Sequence, residues 1–241
     1  MTLIKLPFKI VKKLYLQFKK IINRIFYRPK WQNMRHLKPI SKIFGLDRGT
    51  PIDRIYTDDF LSKNTLYIQG IVCEIADATY TKRWGGGQVS KSEILHYTND
   101  NKKATIIGDL TKYQNLPKDY LDCLICTFTL NFIDDYQKAI EGIYSMLKTG
   151  GAALITVAGL IQISRYDYQR WGDYHRFTDM GIKNAFSKVF GEDNIEVSTY
   201  GNVLSAIAEL QGICAEELTR EEVFYHDEDY QVVICIKALK K

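Results

Sequence analysis

Gly70-Ile71-Val72-Cys73-Glu74-Ile75-Ala76-Asp77-Ala78-Thr79-Tyr80 is the stretch that decides the fold. A short apolar run ends in an acidic residue, and small residues then lead into a turn. The pattern predicts a buried parallel strand that delivers its backbone to a crevice at its carboxyl end. Open α/β sheets bind ligands at that end, where strand order reverses. Downstream, the glycines at 85–87 mark a flexible break, and residues 88–95 read as a second strand ending near Glu93. Residues 104–107 read as a third strand, closed by Gly108-Asp109, and residues 121–127 as a fourth. Residues 134–147 are predicted helical, with Ala139, Ile140, Ile143 and Leu147 on one face, ending at Lys148-Thr149-Gly150-Gly151 by a glycine C-cap. Residues 152–157 follow as a fifth strand. Strands alternating with helices, mostly continuous apolar runs, predict an α/β fold with a parallel sheet covered on both faces. The last third reads as a helix at 181–190, a strand at 194–200, an apolar helix at 202–218 and an alternating strand at 230–238.

Upstream of the deciding stretch the character changes. Residues 1–40 hold 11 Lys/Arg and no Asp/Glu, whereas the rest of the 241-residue chain nets −6. In residues 7–27, Phe8, Val11, Tyr15, Phe18, Ile22 and Ile25 recur at steps of three and four, continuing from Ile4. Lys9, Lys12, Lys13, Lys19, Lys20 and Arg24 fall between them, with Lys5 ahead. This predicts an amphipathic helix with a cationic face and Pro7 in its first turn. No uncharged run approaches the ~18–20 residues that span a bilayer, and no signal-peptide core is present. Two readings stay open: a helix lying in an anionic membrane interface through residues 1–30, or one docked on its own domain or on a twin chain. Residues 28–49, with Pro29, Pro39 and Gly45, read as a linker, and Thr50-Pro51 as the cap of a short helix. The Arg, Asp and Tyr density of residues 44–61 exceeds what a bare linker requires. The expected organisation is a basic helical arm and linker over 1–40 and a globular domain over 41–241.

The five cysteines are an odd number for a disulfide framework and fit a reducing cytoplasm. Cys123 and Cys126 sit three apart on an expected strand, so they point to opposite faces and do not share a metal. Four scattered histidines supply no metal set either.

Acidic residues end successive strands: Glu74 with Asp77, then Glu93, then Asp109. A carboxylate at the second strand's tip suits the hydroxyls of a ribose, and one at the third can face the exocyclic amine of an adenine. These residues, with Gly108-Asp109-Leu110 and Leu147-Lys148-Thr149-Gly150-Gly151, resemble the successive motifs of class I S-adenosylmethionine-dependent methyltransferases over roughly residues 65–240. The chain is most similar to small methyltransferases encoded beside glycosyltransferases in surface-polysaccharide gene clusters, through residues 44–56, Ile163-Ser164-Arg165-Tyr166-Asp167 and Arg170-Trp171-Gly172-Asp173-Tyr174. The resemblance implies a Rossmann-like seven-stranded sheet with a reversed last strand, and S-adenosylmethionine as cofactor. Carried over by position, Glu74 orients the turn at the methionine moiety, Ala76 and Asp77 line it, and Glu93 takes the ribose. Asp109 and Leu110 take the adenine, and Thr127 lies beneath the sulfonium. The chain departs from the family's glycine-rich first turn at Ala76-Asp77-Ala78, which implies a different turn.

Residues 164–178 place aromatics beside Asp and Arg, as a sugar site requires. Arg165, Tyr166, Arg170, Trp171 and Tyr174 are the expected acceptor contacts, and His175, Asp173 and Asp167 the candidate bases. The alternative for this stretch is an ion-paired loop scaffold. The sequence thus supports an enzyme that O-methylates a sugar of a surface glycan or its precursor, or a non-catalytic methyltransferase-fold scaffold in a glycan-assembly complex. Nucleic acid is the least favoured partner, because the domain outside the arm nets −6.

Overall fold

A computed structural model describes residues 8–26 and 35–241. Ile4, Lys5, Pro7, Tyr27, Arg28 and Pro29 lie outside the described residues. The chain divides into two compact units, Met1–Lys38 and Pro39–Lys241. In the first unit, α1 (Phe8–Phe26) is a helix of 19 residues. Its side chains Ile10, Val11, Leu14, Tyr15, Phe18 and Ile21 are exposed.

The second unit is built on one seven-stranded sheet in the order β3-β2-β1-β4-β5-β7-β6. Its strands are β1 (Gly70–Ile75), β2 (Val89–His96), β3 (Ile106–Ile107), β4 (Leu121–Thr127), β5 (Leu147–Ala158), β6 (Ile195–Tyr200) and β7 (Val233–Leu239). The first five are parallel, and β7 runs antiparallel between β5 and β6. Order reverses between β1 and β4, so the ligand crevice of such a sheet falls there.

Two apolar layers cover the faces. One includes Cys73, Leu124 and Cys126 of the sheet under α4 (Tyr136–Met146) and α6 (Asp179–Phe190). The other includes Val72, Cys123 and Cys235 under α2 (Ile52–Lys63), with Ala206 and Ala208 of α7 (Val203–Gln211). Cys123 and Cys126 thus lie in opposite layers. All five cysteines are free and buried, and burial pushes the Cys73 and Cys126 thiols up to about 12.

Several boundaries differ from expectation. α4 passes straight into β5 at Leu147, which is extended and pairs with Leu121, so no glycine C-cap separates them. The helix expected over 202–218 ends at Gln211, where Gly212 takes a left-handed conformation. A further short helix, α8 (Arg220–Phe224), follows. β7 is buried on both faces rather than alternating, because it sits inside the sheet. Pro51, not Thr50, holds the N-cap position of α2. The Thr50 hydroxyl instead donates to Glu216 Oε1 at 2.6 Å, and its amide to Oε2 at 2.8 Å. With Arg48 Nε donating to Glu217 Oε2 at 2.9 Å, these bonds clip residues 48–50 onto residues 216–217. The charge-dense stretch is therefore packed structure, not linker.

Candidate functional site

A crevice of about 1310 Å³ opens over the carboxyl ends of the parallel strands. That exceeds the ~300–1,000 Å³ of a typical small-molecule site, so it has room for two small ligands at once. Its floor is made by the turns after β1, β3 and β4; α2 forms one wall and residues 161–176 the other.

The turn after β1 is held from within. Glu74, 3 % exposed, accepts from the Tyr80 amide at 3.1 Å, and from the Thr81 amide and hydroxyl at 2.8 and 2.9 Å. It thereby fixes the start of α3 (Thr79–Trp84). Burial pushes its carboxyl above the usual range, against the pull of these donors. Asp77 Oδ1 accepts from the Thr79 amide at 2.8 Å. Ala76 has φ +71, and Phe128, just beyond β4, has φ +48. Both are in the left-handed region that non-glycine residues rarely enter. Two strained turns thus flank the β1/β4 reversal, a distribution typical of functional sites. The glycine-poor turn takes at Ala76 the backbone conformation that glycine favours.

Ala76, Asp77, Asp109, Leu110 and Thr127 all line the crevice. Asp109 caps the turn at Leu110–Asn115, its Oδ1 accepting from the Thr111 amide at 2.9 Å and hydroxyl at 2.8 Å. Glu93 does not join them. It lies three residues before the end of β2, opposite Cys73, with its side chain 5 % exposed. It accepts from the Tyr120 hydroxyl at 2.6 Å and pairs with Lys91 at 2.7 Å. These partners, with Thr105, outweigh the effect of burial and hold its carboxyl below the usual range. β2 extends to His96, so His96 and Tyr97 form the tip at the crevice. Trp171 meets both rings edge-on, at 5.9 and 6.0 Å, joining the β2 tip to the far wall.

Of the three expected bases, Asp167 is the one whose carboxylate lines the crevice without an arginine partner. It lines the crevice, and its Oδ2 accepts from the Ser164 hydroxyl at 2.6 Å. Asp173 also lines the crevice, but both its oxygens are taken by the Arg176 guanidinium, at 2.5 and 2.9 Å, and its side chain is 1 % exposed. His175 is absent from the lining; its Nε2 meets the Asp134 carbonyl at 2.9 Å and its ring packs on Tyr136. Arg170, Trp171 and Tyr174 line the mouth, whereas Arg165 and Tyr166 do not. Arg165 lies over Tyr168, and Arg170 over the Tyr166 ring at 3.7 Å. The loop is therefore part ion-paired scaffold and part crevice wall.

Three residues outside the expected set shape the site. Asn131, 1 % exposed, donates to the His175 carbonyl at 2.9 Å and accepts from the Ala158 amide at 3.2 Å. It staples the 174–176 segment to the end of β5. Asp53 and Arg54, in the first turn of α2, line the wall nearest the β1 turn. Among the described residues no three acidic, histidine or cysteine side chains gather as a metal site.

Residues 70–155 match the family model of a methyltransferase domain. No curated protein matches the chain significantly. Among solved structures, a SAM-dependent methyltransferase from Archaeoglobus fulgidus aligns at a TM-score of 0.50 and 15% identity, over 78% of this chain and 94% of that one. An S-adenosylmethionine-dependent methyltransferase from Mesorhizobium loti aligns at 0.50 and 17%, over 81% and 100%. The cyclase SpnF aligns at 0.50 and 12%, over 78% and 81%. The fold is the α/β, Rossmann-like fold of class I S-adenosylmethionine-dependent methyltransferases, with its reversed last strand. The two aligned methyltransferases are S-adenosylmethionine-dependent.

Proposed function

We propose that the chain is an S-adenosylmethionine-dependent methyltransferase whose acceptor is a sugar hydroxyl of a cell-surface polysaccharide or its precursor. The observation that carries this reading is the crevice itself. It lies at the order reversal, with Asp77 and Asp109 on its floor and an arginine- and aromatic-rich wall at its mouth. The residues present fit the donor: Ala76 supplies the left-handed turn, and Asp109 with Leu110 stands at the end of β3 for the purine. When bound, the donor supplies an electrophilic methyl group. This chain's part is to align the acceptor and take its proton. Trp171 and Tyr174 offer flat faces for a sugar ring, and Arg170 a fork for its hydroxyls. Asp167 is positioned to receive the hydroxyl proton. The Nε2 of Gln162, buried in the wall without a partner, offers a further donor.

The arm belongs to the same reading. The cationic α1, with its exposed apolar side chains, holds the enzyme peripherally on the anionic cytoplasmic face of a membrane where such glycans are assembled.

A second reading, a non-catalytic scaffold, is favoured by the strained alanine where the turn suits glycine. Calorimetric titration with S-adenosylmethionine separates the two. Micromolar binding, lost on Asp109→Ala, supports the enzyme; absence of binding by the wild-type chain supports the scaffold.

A further inference from the structure

In a crevice that takes this donor, the amino-acid end of the ligand needs an anion partner for its ammonium and a cation partner for its carboxylate. The turn after β1 has no free cationic group to offer. Its first-turn amides are spent on the chain's own carboxylates: Thr79 on Asp77, and Tyr80 and Thr81 on Glu74. Two carboxylates beside the turn also repel a third. The ligand's carboxylate therefore has to be received by a side chain from elsewhere.

Among the described residues four arginines line the crevice: Arg54, Arg83, Arg170 and Arg176. Arg83 is ion-paired with Asp58 and Arg176 with Asp173. Arg170 lies at the mouth on Tyr166. Arg54 alone of the four spans the order reversal. Its Nη1 donates to the Tyr80 hydroxyl at 3.2 Å on the β1 side, and its guanidinium lies 5.7 Å over the Phe128 ring on the β4 side. The residue is exposed to the crevice, and one hydrogen bond leaves most of its donor fork open.

Next to it in sequence, Asp53 is 8 % exposed and lines the same wall. Its Oδ1 is buried without a hydrogen-bond partner, as is Oε1 of Glu209 behind it. The Glu209 Oε2 accepts from the Asp53 amide at 3.2 Å. A buried carboxylate with an unspent oxygen is costly unless something completes it. A ligand ammonium, all donor and no acceptor, has the chemistry to do so.

We propose that Asp53 and Arg54 form a clamp for the zwitterionic amino-acid end of the donor, Arg54 holding its carboxylate and Asp53 its ammonium. This rests on the donor reading above. It assigns to α2 a recognition task that the glycine-poor β1 turn does not perform, and gives the charge-dense 44–61 stretch a role in binding.

The test uses two ligands that share adenine, ribose and thioether: S-adenosylhomocysteine, and 5′-methylthioadenosine, which lacks the amino-acid end. Calorimetry on the full chain should give wild-type protein a clear preference for S-adenosylhomocysteine. Arg54→Gln should lose roughly 10- to 100-fold in affinity for S-adenosylhomocysteine, the range of a charge-assisted hydrogen bond pair, and leave 5′-methylthioadenosine unchanged. Asp53→Asn should show the same selective loss. Arg54 is exposed, so its variant is expected to fold; thermal melting checks both. Equal losses for the two ligands, or unchanged affinity for S-adenosylhomocysteine, overturn the clamp while leaving the donor site standing. Binding of neither ligand by the wild type overturns the donor reading and the clamp with it. Asp109→Ala, expected to weaken both ligands alike, marks the difference.

Discussion

At the scale of single residues, the site departs from what its backbone and burial would choose. Ala76 holds φ +71 where glycine pays no steric penalty. A left-handed non-glycine residue costs about 1 kcal/mol or more, so Ala76→Gly should stabilise the chain by about 1 kcal/mol. For a domain of this size that is a rise of roughly 2–4 °C in Tm, measurable by differential scanning fluorimetry; a fall would show that the turn is held by contacts of the Ala76 methyl. Glu209 is fully buried against α2, and burial, reinforced by the charge of Asp53, pushes its carboxyl up to about 9. Asp53, raised by its own burial, and Arg54, which opposes the shift, face it from α2, with the Tyr56 hydroxyl nearby. A raised folded-state value means that the native protein binds this proton more tightly than the unfolded chain does. The stability it contributes is complete below about 4.5 and drains away as pH rises towards about 9. Glu209→Gln keeps an acceptor for the Asp53 amide but does not titrate. Melting between pH 6 and 9 should therefore fall more steeply for the wild type than for this variant. Identical slopes would mean that Glu209 is already ionised in the folded protein.

At the scale of elements, the crevice is positioned by close contacts between helices and turns. Gly142 on α4 faces the turn at Leu110–Asn115 so closely that a Cβ there would meet the Leu110 carbonyl oxygen at 2.1 Å. Gly142→Ala must push α4 off the turn that carries Asp109 and Leu110. The expected cost is about 1–3 kcal/mol, the usual range for overpacking, together with weaker donor binding. A variant that is less stable but binds the donor normally would show that the turn moves without disturbing the purine side. Elements were legible where local pattern and burial agree. The apolar run of β4 appears over the residues expected, and the strand-end positions of Asp77 and Asp109 follow from runs that stop in an acid. Glu93 misled because β2 continues through Ile94-Leu95-His96 before it reaches the crevice, so the acid is interior and paired with Tyr120 and Lys91. Composition gives no direction to His175 and Asp173: one side chain turns to the Asp134 carbonyl, the other closes on Arg176. Asn131, Asp53 and Arg54 act through contacts 26 or more residues distant in sequence, or through burial, and no local motif announces them. Only the charge density of residues 44–61 pointed that way.

At the scale of the whole molecule, charge is divided unevenly along the chain, and the division makes a prediction about where the protein resides. The chain carries +5 overall, yet residues 1–30 hold nine Lys/Arg and no acid, so the chain without them nets −4. Among the described residues no helix is long and apolar enough to cross a membrane. α1, of 19 residues, is roughly 28 Å long at the helical rise and presents apolar side chains to solvent among its lysines. Such a helix gains from burying those side chains at the headgroup boundary, and each cation near an anionic surface adds about 1 kcal/mol, screened over about 8 Å at physiological salt. The full chain should therefore sediment with vesicles containing phosphatidylglycerol, and less as salt is raised, with little binding to phosphatidylcholine alone. Removal of residues 1–30 reverses the sign of the net charge and should abolish sedimentation, while S-adenosylhomocysteine affinity, which belongs to the second unit, stays the same. Equal sedimentation with and without the arm would remove the membrane from the account. Loss of ligand affinity on truncation would instead make residues 1–30 part of the donor site's support. If both halves hold, the chain couples a surface-seeking helix to a crevice wide enough for donor and acceptor together, which is what methylating a glycan built on a membrane requires.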